Sequence, residues 1–194
     1  MTAKKDTAER ARNVSGLTEA REREVRAAAE GILNKYKLLP GFDLARFLTR
    51  QEGFVLVLKE MDAHTTGVLM IDPDKTILQA DSDKMIVINQ KLQEKPDFQQ
   101  RSRFIAAHEY GHSKLHASGG QFFHRDTPDV DTPQEREAEY FARCLLMPEQ
   151  SVRELMRISG MAEGSLDEKT AMISRFFNVT RKKALRRMED LVLA

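Results

Sequence analysis

The chain has 194 residues, of which 41% are hydrophobic and 31% charged, and its formal net charge is +1. This composition is that of an ordinary globular protein, and its near-neutrality gives no general reason to expect a polyanionic partner. Aliphatic runs such as "FVLVL" (54–58) are too short to cross a bilayer, and no secretory signal is readable, so we expect a cytoplasmic protein without membrane contact.

The first elements in the chain are helical. Residues 1–17 are polar and aperiodic, which predicts a loose tail. Apolar residues then recur at helical spacing from Thr18 and predict an amphipathic helix that ends before "LPGFD". Asp43 is placed to cap a short second helix.

The period then changes to that of β-strands. Four short runs rich in β-branched residues predict strands: "FVLVLKEM" (54–61), "GVLMI" (67–71), "TILQA" (76–80) and "MIVIN" (85–89). "DPDK" (72–75) is typical of a hairpin turn. We expect a small, largely antiparallel sheet, with "MIVIN" as a candidate edge strand along which a substrate could pair.

Helices dominate the rest of the chain. After "RFIAAHEYGHSKLH" (103–116), a loop with Gly and Pro (118–133) leads to "EREAEYFARCLLMP" (135–148), a helix from Glu149 to Ile158, and two short helices around "NVT" (178–180). These elements predict an α+β fold, with one domain over 18–160 and a helix-turn-helix-like segment over 161–194.

The histidine segment has the spacing of a metal site. His108 and His112 are one helical turn apart and can present two imidazoles to one ion, while Glu109 can hydrogen-bond a water on that ion, as in H-E-x-x-H. Histidines can also occur incidentally on a helix, but a preceding sheet and acids downstream favour the metal. The single cysteine, Cys144, excludes a cysteine-based site, and Zn²⁺ suits nitrogen and oxygen ligands.

The third ligand is expected from the second motif. His116 lies about 12 Å along a helix axis from His108, too far to share the ion, so we assign it to the surroundings of the site or the helix end. The apolar stripe of "EREAEYFARCLLMP" points Glu135 inward, whereas Glu137 and Glu139 point to its two sides, where water can solvate them.

Together the two motifs resemble those of the ImmA/IrrE family of zinc metallopeptidases, "RF-x-x-AHE-x-x-H-x-x-x-H" and "E-x-x-A-x-x-FA-x-x-LLMP". The likeness runs from roughly residue 20 to the end. It implies a zincin-like fold, zinc on His108, His112 and Glu135, Glu109 as general base, and as substrate a helix-turn-helix repressor of a mobile element or stress regulon. Where the family commonly has Asn four residues after the ligand glutamate, this chain has Glu139.

We therefore expect a zinc-dependent endopeptidase that acts on a protein substrate. An oxyanion donor is not singled out by the sequence, and Tyr140, His124 and His116 are all candidates. His116 and His124 are equally candidates for supporting the metal ligands.

The C-terminal helices carry a basic cluster, Arg181, Lys182, Lys183, Arg186 and Arg187. It is a candidate face for docking a partner or DNA, although a solvated helix surface is the interpretation that we favour, because phosphate binding needs a broader basic field. Thr180 is expected as N-cap, with six residues facing inward: Ile173, Phe176, Phe177, Leu185, Met188 and Leu191. The alternative function is a DNA-binding or regulatory protein with a structural or sensory zinc site.

Overall fold

The computed structural model describes residues 15–76, 78, 82–118, 122–126, 131–160 and 163–193. The chain forms two compact units. Residues 42–142 form one, here called the sheet unit, while the segment up to Gly41 and the segment from Arg143 form the other, here called the helical unit. Among the described residues, none of the helices has both the length and the apolarity needed to cross a bilayer.

The sheet unit contains the four strands and the helix of the histidine motif. In chain order its elements are α2 (Leu44–Arg50), β1 (Val55–Lys59), β2 (Gly67–Ile71), β3 (Lys84–Asn89), a 3-10 helix (Gln90–Glu94), α3 (Phe98–Leu115), β4 (Phe122–Asp126) and the first part of α4 (Pro133–Leu146). Asp43 caps α2, since its carboxylate accepts from the Arg46 backbone N–H at 2.9 Å, as the sequence predicts.

The strands form one mixed sheet in the order β1-β3-β2-β4. β2 pairs antiparallel with both β3 and β4, whereas β1 and β3 are parallel, so the predicted largely antiparallel α+β sheet is confirmed. The edge strands are β1 and β4. The prediction of "MIVIN" as an edge strand is wrong, because β3 has a partner on each side.

The connections of the sheet differ in how well the sequence predicts them. At "DPDK" a turn is present, since the Lys75 N–H donates to the Asp72 carbonyl at 2.9 Å, but the described residues do not form the predicted hairpin there: the next strand that pairs with β2 is β3, which begins at Lys84. In the predicted strand "TILQA", three residues (Ile77, Gln79 and Ala80) lie outside the described residues. The predicted loop at 118–133 is wrong over 122–126, where β4 pairs with β2.

Helix α3 is buried along its middle, where it packs on β2 and β3. Tyr110 is fully buried, and its ring meets those of Phe47, Phe54 and Phe141 edge-on at centroid distances of 5.8, 5.9 and 6.0 Å. Aromatic contacts of this geometry add to the free energy of apolar burial. They fix the rotation of α3, and with it the direction in which the histidines point.

The helical unit contains α1 (Glu19–Tyr36), the end of α4, α5 (Glu149–Ile158), α6 (Leu166–Phe177) and α7 (Arg181–Asp190). Thr18 and Thr180 cap α1 and α7 through their side-chain oxygens, as the sequence predicts for Thr180. Ser15 and Leu17, at the end of the predicted tail, are buried. The domain boundaries at 17 and 160 stay a prediction.

Buried charges join the end of α4 to α7. The Arg143 guanidinium donates to both carboxylate oxygens of Asp190, at 2.7 and 3.1 Å, and these two side chains are 4% and 2% exposed. Arg187 donates its Nε–H to the Met147 carbonyl at 2.9 Å. Of the predicted inward residues, Ile173, Phe177, Met188 and Leu191 are buried and Leu185 is half-buried, but Phe176 is 50% exposed.

Candidate metal centre

Helix α3 presents His108 and His112 to the same point. Their Nε2 atoms are 3.1 Å apart, and both residues are buried. Residues four apart share a helix face, so one turn of α3 supplies two imidazoles to one centre. The sequence predicts this pair, and the structure brings it together.

Glu135 reaches the same point from the first turn of α4. Its Oε2 lies 3.1 Å from the His108 Nε2 and its Oε1 lies 3.5 Å from the His112 Nε2. A Cβ at Gly111 would lie 3.0 Å from the Phe141 Cδ1 and 3.3 Å from the Ala138 backbone, so a larger residue would require α3 and α4 to shift by a few tenths of an ångström. Since His108 lies one turn before Gly111 and Glu135 one turn before Ala138, the close contact brings the two side chains together.

The protonation of these groups suits a cation. Burial lowers the pKa of His112 and favours the neutral imidazole. Burial by itself raises the pKa of Glu135, but hydrogen bonds with His108 and His112 outweigh it, so the pKa of this carboxyl is well below its usual range. Neutral imidazole and ionised carboxylate are the forms that bind metal ions.

His124, on the edge strand β4, is the fourth member of the cluster. Its Nε2 is 3.2 Å from the Glu135 Oε1, and its ring stacks on that of His112 with centroids 3.6 Å apart. One donor atom from each of four residues, His108, His112, His124 and Glu135, lies within 4.8 Å of all the others. The sequence offers His124 as an oxyanion or supporting residue, whereas its place among the donors depends on strand pairing that the sequence did not reveal.

The spacing of His108, His112 and Glu135 fits a tetrahedral metal ion. Ligand atoms about 2.1 Å from such an ion are about 3.4 Å from one another. Four separations between donor atoms are close to that value. They are 3.1 Å between His108 and His112, 3.1 Å between His108 and Glu135, 3.5 Å between His112 and Glu135, and 3.2 Å between His124 and Glu135. These residues can therefore hold a metal ion without large movements.

Glu109, between the two histidines, is completely buried. A Cβ at Gly67, the first residue of β2, would lie 2.6 Å from its Oε1 and 2.7 Å from the Ile105 Cγ2. No side chain other than that of glycine therefore leaves the Glu109 carboxylate where it is. A sequence match to H-E-x-x-H predicts the role of Glu109 but gives no sign of the need for Gly67.

His116 and Glu137 continue the cluster behind His112. The Nδ1 atoms of His112 and His116 are 3.0 Å apart, and the His116 Nε2 is 2.9 Å from the Glu137 Oε2. The expectation that Glu137 is solvated is wrong, since its side chain is only 12% exposed. Glu139 is half-buried rather than fully solvated. The missed signal was His116 itself, because a buried imidazole one turn after a ligand needs a partner of its own.

The remaining predicted residues are Tyr140 and the basic cluster. Tyr140 is 3% exposed and stays a candidate oxyanion donor. In the basic cluster, Arg181 pairs with Asp167 at 2.9 Å and Arg186 with Glu189 at 2.9 Å, and both arginines are exposed. The prediction that Arg187 contributes to a docking face is wrong, because Arg187 is completely buried.

The chain matches the model of a known protein family. The family model Peptidase_M78, described as the IrrE N-terminal-like domain, matches residues 55–189, which include every residue of the cluster. No curated protein matches the chain. The matched family agrees with the resemblance in the two motifs and with the zincin-like α+β fold.

Proposed function

The chain belongs to the Peptidase_M78 family of metallopeptidases, and on this premise we propose that it is a zinc-dependent endopeptidase that cleaves a helix-turn-helix repressor. The observation that carries the proposal is the convergence of three imidazoles and a carboxylate next to the buried carboxylate of Glu109. Zinc accepts this donor set and, when bound, polarises a carbonyl and makes water a better nucleophile.

His108, His112 and Glu135 are the proposed ligands that remain in place throughout the reaction. Each is fixed by a helix, and the two helices are held together at Gly111 and Ala138. Donors on rigid elements keep their geometry better than donors on loops.

Glu109 is the proposed general base. Its carboxylate accepts a proton from the attacking water and returns it to the leaving amine. The narrow space beside Gly67 limits how far this side chain can rotate, which holds the carboxylate in one position. Tyr140 remains the candidate donor to the oxyanion, and its burial on α4 keeps its hydroxyl in a fixed place.

His116 and Glu137 are proposed to orient His112. A metal on the His112 Nε2 requires the proton on its Nδ1, which then donates to the His116 Nδ1, while the His116 Nε2–H donates to Glu137. In this series of hydrogen bonds, each ring nitrogen and the Glu137 carboxylate therefore has a compatible role. Such outer partners hold ligand rings in place and raise metal affinity.

The substrate is proposed to bind as an extended strand along β4. In the described residues β4 pairs with β2 on one side and has no strand on the other, and His124 places it next to the centre. Peptides often bind by adding a strand to a sheet edge, which exposes each carbonyl in turn. A repressor as substrate rests on the motifs' resemblance to the ImmA/IrrE family, and a cytoplasmic location would follow from such a substrate.

The test is cleavage of a repressor encoded beside this gene. Glu109→Gln is expected to keep the fold and a full complement of zinc but to lose cleavage, because the amide keeps the shape without accepting a proton. Glu139→Gln is the matched control and should cleave at the wild-type rate. Wild-type cleavage by Glu109→Gln at equal zinc content would refute the assigned base.

A further inference from the structure

The metal centre has one more donor than a catalytic centre needs. Catalytic zinc sites have three protein ligands and keep the fourth position open for water or substrate. His108, His112 and Glu135 already supply three, and His124 lies within the same 4.8 Å group. The question is what a fourth donor does at a site where substrate must bind.

The position of His124 is that of a ligand. Its Nε2 is 3.2 Å from the Glu135 Oε1, and its ring stacks on that of His112 with an interplanar angle of 28°. Its side chain is 17% exposed, close to the 15% of Glu135. The stacked ring centroids, 3.6 Å apart, are closer than those of two imidazoles on one tetrahedral ion, so the ring of His124 must turn away from that of His112 when both bind the ion.

His124 differs from the other three donors in where it is carried. His108, His112 and Glu135 are on helices, whereas His124 is on β4, a strand at the edge of the sheet. In the described residues β4 is hydrogen-bonded to a strand on one side only, so its position is less constrained than that of the helices and can change when a strand is added to its outer edge. A ligand on this strand can therefore respond to an occupant of the edge, while the helical ligands stay in place.

Resting on the proposed peptidase function, we propose that His124 is a fourth, displaceable protein ligand that closes the metal centre until a substrate strand pairs with β4. In the closed state the metal has three nitrogen ligands and one oxygen ligand from the protein. Pairing along β4 moves His124 away and frees the position that the substrate carbonyl needs. Hydrolysis of unselected peptides is thereby restricted, because a peptide must bind as a strand before the centre opens.

The experiment uses the full chain with Co²⁺ in place of the native metal, since the visible spectrum of Co²⁺ reports its coordination. Azide serves as the small external ligand. The variants are His124→Ala and His124→Cys, with His64→Ala and His64→Cys as controls, because His64 is exposed and is the one histidine outside the cluster and its His116 extension.

Azide is expected to leave the spectra of wild type and His64→Ala unchanged at concentrations that shift the spectrum of His124→Ala. The affinity of His124→Ala for Co²⁺ should fall by at least about tenfold. His124→Cys should give a sulfur-to-cobalt absorption band in the near ultraviolet that is absent from His64→Cys. This positive signal requires a thiolate on the metal, so it identifies position 124 as a ligand even if His124→Ala folds poorly.

Equal azide binding by wild type and His124→Ala, together with no sulfur-to-cobalt band in His124→Cys, would overturn the assignment. The proposed function fails in a different way. If wild type binds Co²⁺ and excludes azide as expected but neither it nor His124→Ala cleaves the repressor when zinc-loaded, the fourth ligand stands and the peptidase assignment is refuted.

Discussion

The metal centre and the C-terminal helices α6 and α7 both carry many ionisable side chains on helices, but they use them in opposite ways. At the centre, side chains from three elements converge out of contact with most of the solvent. On α6 and α7, two exposed arginines pair with acids at the surface, Arg186 with Glu189 of its own helix and Arg181 with Asp167 of the neighbouring helix.

Burial alone does not separate the two regions. The helical unit also buries charges, in Arg143 and Asp190, but these have opposite signs and hydrogen-bond each other in two places. The metal centre buries several imidazoles around one carboxylate. These groups suit a shared metal ion better than they suit one another. The difference teaches that the chemical type of the buried groups, rather than their number, identifies a functional site.

The largest effect is expected at Glu135. Glu135→Gln removes a charged ligand from between the two histidines, and we expect zinc affinity to fall by more than about 100-fold, a larger loss than that caused by outer partners. Transfer of zinc to a competing chelator, followed by optical titration, measures it.

Two other acids of α4 calibrate this result. Glu137→Gln should lower zinc affinity by roughly tenfold through His116 and His112, and Glu139→Gln should match wild type. If Glu137→Gln loses more zinc than Glu135→Gln, the ligand has been misassigned.

In the helical unit, the largest effect is expected at Asp190. Asp190→Ala leaves Arg143 buried without its carboxylate and should lower the free energy of unfolding by about 3–5 kcal/mol. Chemical denaturation of the zinc-loaded protein measures this. Asp167→Ala, which removes an exposed pair with Arg181, should lower it by less than about 1 kcal/mol. Similar values for the two variants would mean that burial does not strengthen the Asp190 pair.

Gly67 offers a way to disturb the base without touching the ligands. Gly67→Ala puts a methyl group 2.6 Å from the Glu109 Oε1 and should rotate this carboxylate away. We expect cleavage to slow by roughly 10- to 100-fold with zinc retained, since a general base contributes on that order or more. Gly31→Ala should cleave normally, because a Cβ at this position of α1 would have no heavy atom within 4 Å apart from its chain neighbours and the backbone of its own helix. Unchanged cleavage by Gly67→Ala would contradict the role of this close contact.

The sequence predicts those parts of the site that depend on local spacing. His108 and His112 follow from helical periodicity, and the inward direction of Glu135 follows from the buried stripe of Ala138, Phe141 and Ala142. It also predicts the caps at Asp43 and Thr180.

What the sequence missed depends on pairing between distant segments. The place of β3 inside the sheet and the strand that carries His124 are set by pairing partners up to dozens of residues away, which no local pattern encodes. The contact between His116 and Glu137 likewise requires the distance between two helices. Arg187 was misjudged because a basic residue in a basic run is usually solvated, and only tertiary packing buries it.

The smallest effect is expected on the exposed side of α7. Lys182 is exposed and Lys183 half-buried near the start of this helix, and the neighbouring Arg181 already pairs with Asp167. With Arg187 buried, few cations remain to contact phosphates, and the affinity of proteins for DNA depends on how many they neutralise. We therefore expect no salt-sensitive complex between the wild-type protein and duplex DNA at physiological salt.

Lys182→Glu with Lys183→Glu should change zinc affinity and repressor cleavage by less than about twofold, because exposed substitutions of this kind usually cost under 0.5 kcal/mol. Fluorescence anisotropy with labelled duplex, over a range of salt concentrations, provides the measurement. A sub-micromolar complex that weakens steeply with salt and disappears in the double variant would instead make the C-terminal helices a DNA-binding face and favour a regulatory protein.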